Sequence, residues 1–107
     1  QTLLHQIYAI NAGGTSTPIV RVQWNDPMVI KRTMEAGAEG IMVPGIRSAE
    51  EARRAVAATR YPPHGIRSVS HPRAAAYGLD PNYVFEAGDN MAVFIQIETK
   101  DAARDIE

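Results

Sequence analysis

One arginine interrupts an otherwise apolar run of the sequence, and its position predicts a role at a binding site. Arg21 lies in the β-branched run 17–22 (TPIVRV), which is typical of a short strand. Burying a guanidinium there without a partner is costly, so we expect Arg21 to face an anion or the open mouth of a barrel. The alternative is a purely structural arginine that reaches solvent at the edge of the strand.

An amide and a carboxylate lie two residues apart where the strongest predicted strand ends. Gln96 and Glu98 occupy the end of the apolar run 91–97 and the position after it. Because side chains alternate along a strand, both should lie on one face. A carboxylate at a strand end suits a hard-metal ligand or a general base. The alternative is that Glu98 bonds to the start of the next helix, beside Thr99.

The other polar or aromatic candidates are weaker. Trp24 follows the first strand and could line a pocket, although packing against the next helix is the ordinary expectation. Arg67 lies in a proline-rich loop, where an anion contact and loop ordering explain it equally well. The three histidines lack the H-x-x-x-H spacing of a metal site, so we expect them to be exposed or hydrogen-bonded: His5, His64 and His71.

Composition excludes several functional classes. The chain has 107 residues, of which 45% are apolar and 21% charged, and its net charge is −1. A near-neutral chain lacks the basic surface of nucleic-acid or anionic-membrane binders. The absence of cysteine excludes disulfides, thiolate metal sites and cysteine nucleophiles, and no apolar run approaches the ~20 residues of a membrane-spanning helix. We therefore expect a cytoplasmic globular protein with no nucleic-acid or membrane partner.

Strand and helix patterns alternate along the chain, which predicts right-handed βαβ units and a parallel sheet. Residues 61–90, rich in proline and glycine, form a long loop that four residues should help to anchor: Tyr61, Ile66, Val69 and Tyr77. The predicted elements are a helix at 2–11, a strand at 17–22, a helix from 27, a strand at 40–44, a helix at 48–60 opened by a Ser48–Glu51 capping box, a short helix at 81–87, a strand at 91–97 and a helix from about 100 that runs to the last residue.

Three strands with unfinished helices at both ends do not close a sheet. We therefore expect a segment of a larger α/β protein, either a (β/α)8 TIM barrel or a doubly wound sheet. No G-x-G-x-x-G fingerprint follows any predicted strand, which favours the barrel.

With these residues assembled, the sequence resembles the HpcH/HpaI aldolase/citrate lyase family, within it the class II, metal-dependent pyruvate aldolases. The resemblance implies that residues 1–107 are part of a single (β/α)8 barrel domain, about strands 3–5 with their helices. It covers roughly residues 17–104 and rests on a series of motifs in the family's order: PIVRVQWNDP (18–27), EAGAEGIMVP (35–44), SAEEARRAVAATRYPPHGIR (48–67), RAAAYG (73–78) and FIQIET (94–99).

The resemblance implies reversible cleavage of 4-hydroxy-2-oxo acids to pyruvate and an aldehyde, with a divalent cation (Mg²⁺, Mn²⁺ or Co²⁺) as cofactor. Glu98 matches the family's metal-binding glutamate, and Arg21 matches the arginine that bonds the keto oxygen. Gln96 matches a glutamine that supports the bound water or pyruvate. The family's second metal ligand and its histidine base correspond to positions outside residues 1–107. A homo-oligomer, a trimer or hexamer, is also implied.

The sequence departs from the family pattern at two places. Ser68 and Ser70 replace glycines of the usual G-I-R-G-V-G, and Gly45 stands in VPGI where V-P-M-V is common. The second change predicts a wider pocket near Gly45 and a different aldehyde. Two other functions stay open: a citrate-lyase-β-like lyase acting on an acyl-CoA, and a non-catalytic barrel that serves assembly.

Overall fold

Helices and strands alternate in the computed structural model, which describes residues 2–69, 79 and 81–106. No helix within those residues is long and apolar enough to cross a membrane. The helices are α1 (Thr2–Gly13), α2 (Pro27–Glu35), α3 (Ala49–Thr59), α4 (Tyr83–Asn90) and α5 (Lys100–Arg104), and the strands are β1 (Ile19–Arg21), β2 (Gly40–Val43) and β3 (Ala92–Ile95).

The three strands form one parallel sheet in the order β1-β2-β3. Each strand leads to the next through at least one helix, as parallel pairing requires. In the register, Arg21 lies beside Met42, and Met42 lies beside Phe94. The parallel α/β architecture predicted from the sequence is therefore confirmed.

The two faces of the sheet differ in how they are covered. Helices and strands bury one continuous apolar cluster on one face, whereas Ile19 and Phe94 on the opposite face are 51% and 42% exposed. A barrel wall has helices on its outer face alone, whereas a doubly wound sheet has them on both. The one-sided cover is therefore typical of a barrel wall. The buried cluster comprises Ile7, Val22, Ile30, Met34, Ala38, Ile41, Val43, Ile46, Ala55 and Ala58.

The predicted helix starts are set by side-chain caps. The Asp26 carboxylate accepts from two backbone N–H groups at the start of α2, and the Ser48 hydroxyl accepts from the N–H of Glu51 at 3.1 Å. The other half of the predicted capping box differs, because the Glu51 carboxylate bonds the N–H of Arg47 at 2.8 Å. The Thr99 hydroxyl caps α5 in the same way as Ser48 caps α3. These caps satisfy backbone donors that the helices cannot pair internally.

All three strands are shorter than predicted: β1 spans Ile19–Arg21 rather than 17–22, and Pro44 explains the end of β2. Proline has no N–H for the ladder, and the next residue, Gly45, turns the chain with a φ of +65°. β2 therefore ends at Val43. After Gln96 the β3 segment has no residue of β2 to pair with. The strand predicted at 91–97 is therefore shortened to Ala92–Ile95.

The last two helices also differ from their predicted bounds. α4 begins at Tyr83 rather than at 81, because the Asn82 carbonyl accepts from the N–H groups of Phe85 and Glu86. It continues to Asn90 instead of ending at 87. α5 ends at Arg104, before the last residue of the chain.

Arg67 orders the loop after α3, as one of its two predicted roles requires. Its side chain is 2% exposed and lies over the rings of Tyr61 and Tyr83, with its guanidinium carbon 4.5 and 5.4 Å from their centroids. Its Nη2 donates to the Tyr83 hydroxyl at 2.9 Å. Burial raises the pKa of Tyr61 to about 12, although the nearby Arg67 charge opposes this shift. Ile66 and Val69 are exposed, so the prediction that they anchor the loop is wrong, whereas Tyr61 is buried as predicted and Tyr77 lies outside the described residues.

Candidate active site

Arg21 and Gln96 meet at the carboxyl-terminal edge of the sheet. Arg21 is the last residue of β1, and Gln96 directly follows β3, so β2 lies between them. Residues paired across a sheet share a face, as do residues two apart in a strand. Arg21, Met42 and Phe94 are in register, and Gln96 lies two residues after Phe94. The topology therefore directs both polar side chains to the open face.

A short hydrogen bond joins these two side chains across β2. The Nε of Arg21 donates to the Oε1 of Gln96 at 2.6 Å. The Gln96 backbone is itself held, because its N–H bonds the Val43 carbonyl at 2.9 Å and its carbonyl accepts from Ile46 at 3.2 Å. Within the described part of the chain, the terminal nitrogens of Arg21 make no hydrogen bond. Gln96 thus orients a guanidinium whose outer donors remain available to a ligand.

Glu98 lies two residues beyond Gln96, with its side chain exposed. No contact among residues 2–69, 79 and 81–106 pairs its carboxylate. The start of α5 is capped instead by Thr99, whose hydroxyl accepts from Ala102 at 3.1 Å. The alternative role, in which Glu98 bonds this helix start, is therefore not seen. The carboxylate is available as a ligand or base at the edge that carries Arg21.

Glu98 suits a divalent cation as one ligand of a larger set. Hard cations bind carboxylate oxygens, and this carboxylate is free of other partners in the described structure. The described residues contain no group of three or more histidine, cysteine or acidic side chains that could hold a metal. Any such cation would need further ligands from outside them. Of the predicted non-ligands, His5 and His64 are exposed, and His71 lies outside the described residues.

The contact between Trp24 and Gly45 adds an aromatic surface to this edge. A Cβ built on Gly45 would lie 3.4 Å from Cζ3 of the indole, and Trp24 is 59% exposed. The same loop is fixed by Asn25, whose Nδ2 donates to the Glu51 carbonyl at 3.0 Å. The sequence indicates Trp24 and Gly45 as two separate positions. They are 21 residues apart, and no pattern in the sequence predicts that they lie close together.

The chain is similar to known proteins over nearly its whole length. The sequence model of the HpcH/HpaI aldolase/citrate lyase family matches residues 1–107. A 4-hydroxy-2-oxo-heptane-1,7-dioate aldolase of Salmonella heidelberg (strain SL476) is 49% identical over 104 residues, which are 95% of this chain and 39% of the relative. The chain therefore spans about two fifths of the length of such relatives.

Solved structures agree with this similarity. An HpcH/HpaI aldolase/citrate lyase family protein from Burkholderia cenocepacia J2315 superposes with a TM-score of 0.92 at 35% identity, over 97% of this chain and 43% of that one. An HpcH/HpaI aldolase from Desulfitobacterium hafniense DCB-2 gives a TM-score of 0.81 at 30% identity, over 97% and 40%. The sheet and its helices thus match the fold of these proteins.

Proposed function

The chain belongs to the HpcH/HpaI aldolase/citrate lyase family, and from that premise we propose that its protein is a metal-dependent pyruvate aldolase. The proposed reaction is reversible cleavage of a 4-hydroxy-2-oxo acid to pyruvate and an aldehyde. The observation that carries the proposal is the Arg21–Gln96 hydrogen bond at the edge where the free Glu98 carboxylate lies. The name of the Salmonella heidelberg relative, which specifies a 4-hydroxy-2-oxo dioic acid, also supports this substrate class.

Arg21 is assigned to the oxygen on C2 of the substrate. In the cleavage direction a base takes the proton of the C4 hydroxyl, the C3–C4 bond breaks, and its electron pair moves through C3 to the C2 oxygen. The products are an aldehyde and the enolate of pyruvate, which then takes a proton at C3. Negative charge builds on the C2 oxygen, and a fixed guanidinium donor stabilises that charge more than it stabilises the neutral ketone.

Gln96 is a positioning residue in this scheme. Its Oε1 holds the Arg21 Nε at 2.6 Å, so the outer nitrogens keep their direction before substrate arrives. Its own backbone is tied to β2 and to Ile46, and this limits its movement. A donor that is already aligned loses less entropy when it binds the substrate.

Glu98 is proposed as one ligand of the divalent cation, Mg²⁺, Mn²⁺ or Co²⁺. Such a cation, when bound, supplies positive charge next to the oxygens of the 2-oxo acid. The remaining ligands and the base are assigned to parts of the protein outside this chain.

The strands are proposed to be about the third to fifth of a (β/α)8 barrel, of which residues 1–107 form one part. The open face, with Ile19 and Phe94, would then point into the barrel interior, where the remaining strands would cover it. Carboxyl-terminal strand ends carry the active site in such barrels, which agrees with the location of Arg21. We further propose a homo-oligomer, a trimer or hexamer.

The test measures pyruvate release from 4-hydroxy-2-oxo acids by the full-length protein, with EDTA and after Mn²⁺ is restored. We expect metal-dependent release that Arg21→Ala and Glu98→Ala each lower by a factor of 100 or more. Arg53→Ala, which removes an exposed arginine of α3, should leave the rate unchanged. Metal-independent release, or full activity in both site variants, would overturn the proposal. Turnover of citramalyl-CoA-type substrates alone would instead identify an acyl-CoA lyase.

A further inference from the structure

The position after Pro44 is shaped so that an aromatic ring can lie against the backbone. Gly45 has a φ of +65°, a left-handed conformation that side chains rarely adopt. The Cζ3 of Trp24 lies 3.4 Å and its Cη2 lies 3.8 Å from where a Cβ would stand. The indole therefore lies at van der Waals distance from the point that a Cβ of residue 45 would occupy, and 59% of the Trp24 surface remains exposed.

This ring lies at the same end of the sheet as the groups assigned to the 2-oxo acid. Gly45 lies between Val43 and Ile46, and those two residues bond the N–H and the carbonyl of Gln96. Trp24 lies three residues after Arg21, in the segment that follows β1. The exposed indole and the Arg21–Gln96 pair therefore both lie on the carboxyl-terminal side of the sheet.

We propose that Trp24, supported by Gly45, is the wall that contacts the aliphatic carbons of the aldehyde half of the substrate. The inference rests on the proposed aldolase function and adds a specificity-determining residue to it. The charged end of the substrate is assigned to Arg21 and the cation, so the carbons beyond C4 meet the apolar surface next to them. An indole offers a large rigid face without a charge, which favours methylene groups over hydroxyl-bearing carbons.

The first experiment measures aldol addition of pyruvate to ethanal, propanal and butanal by the full-length protein. Burying one methylene group favours binding about fourfold, so kcat/KM should rise about fourfold for each added carbon. Trp24→Ala should reduce this rise to below twofold, and Trp24→Phe should keep most of it. Phe85→Ala, which removes an exposed aromatic ring from α4, is the matched control and should leave the rise unchanged.

A double-mutant cycle tests whether Gly45 acts through the indole. Gly45→Ala strains the left-handed backbone at φ +65° and adds a methyl group 3.4 Å from Cζ3, so a shift of this turn should move the ring and change the rise per carbon at least twofold in the parent. In the Trp24→Ala background the same substitution should leave that rise unchanged, because there is no ring to move. An equal effect of Gly45→Ala in both backgrounds would refute the coupling.

A second readout separates this inference from the function on which it rests. Exchange of the pyruvate C3 protons with D2O, followed by NMR without aldehyde, involves only the pyruvate half. All Trp24 and Gly45 variants should exchange within twofold of the parent. If the Trp24→Ala variant exchanges the pyruvate C3 protons but keeps the parent's rise in kcat/KM for each added carbon, the inference alone is overturned. No exchange in the metal-loaded parent would overturn the proposed function and the inference together.

Fluorine NMR gives a test that does not depend on turnover. In protein labelled with 5-fluorotryptophan, the resonance that Trp24→Phe removes belongs to this indole. Butanal added to the protein without pyruvate, so that no aldol addition takes place, should shift that resonance, and glycolaldehyde at the same concentration should shift it less. Equal shifts from both aldehydes, or none from butanal, would contradict the assignment of an apolar wall.

Discussion

Replacing Gln96 tests whether the hydrogen bond across β2 serves catalysis. The bond joins Arg21 Nε to Oε1 at 2.6 Å, and the guanidinium carries the charge. Hydrogen bonds to charged groups contribute about 1.5–3 kcal/mol. Both side chains reach solvent within the described residues, so the lower end of that range is the minimum for the full-length protein, where the proposed barrel would cover them. A loss of about 1.5 kcal/mol in the transition state corresponds to about a tenfold fall in kcat/KM for Gln96→Ala.

The control and the background variant make this prediction specific. Gln23→Ala removes an exposed amide from the same edge, two residues after Arg21, and should change kcat/KM by less than twofold. Arg21→Lys removes the Nε that Gln96 holds, so Gln96→Ala should have little further effect in that background. Steady-state kinetics of pyruvate release give kcat/KM for five full-length proteins: the parent, the three single variants and the Arg21→Lys, Gln96→Ala double variant. Additive losses, or equal losses for Gln96→Ala and Gln23→Ala, would refute the positioning role.

Three further predictions concern the metal and the loop after α3. Glu98→Gln should weaken Mn²⁺ binding by the full-length protein at least tenfold in calorimetric titration, because it removes a carboxylate ligand; unchanged affinity would exclude Glu98 from the metal site. Arg67→Ala should lower the free energy of unfolding by about 2–4 kcal/mol in denaturant titration, whereas Arg67→Met should cost less than half as much, since it refills the space between the tyrosine rings. Tyr61 should ionise near pH 12 in a spectrophotometric titration. Because its folded pKa lies above the unfolded value of about 10, its contribution to stability should be intact below pH 10 and be lost between pH 10 and 12. Titration of Tyr61 near pH 10 in the folded protein would contradict its burial.

Local features of the fold were predictable from the sequence because the signals lie within a few residues of their effects. Asp26, Ser48 and Thr99 cap the helices that follow them, as their spacing indicated. The end of β2 was misplaced by one residue, although its cause is also local: Pro44 has no N–H to donate. Strand bounds depend on where a neighbour stops pairing, and the pattern of one segment does not contain that information.

For contacts between distant segments, the sequence indicates candidate residues but not which of them meet. The sequence predicted that Arg21 faces a binding site and that Gln96 lies at a strand end, but not that these side chains, 75 residues apart, bond to each other. The contact of Trp24 with Gly45 was not predicted either, because it depends on the turn after Pro44. The sequence allows both an anion contact and loop ordering for Arg67, because its burial depends on a tyrosine from another helix, Tyr83.

The sheet separates the residues that stabilise this fold from those assigned to chemistry. Buried apolar residues such as Ile41 and Val43 point to the helices, whereas Arg21 and Glu98 are exposed at the strand ends. Substitution of the exposed pair removes little buried area, so it should lower activity without a comparable loss of stability. The proposed barrel would cover the open face, and the lower local dielectric would strengthen each hydrogen bond that Arg21 makes. In the proposed barrel, the strands would thus fix the direction of Arg21 and Gln96, and closure of the barrel would strengthen the interactions that these side chains make.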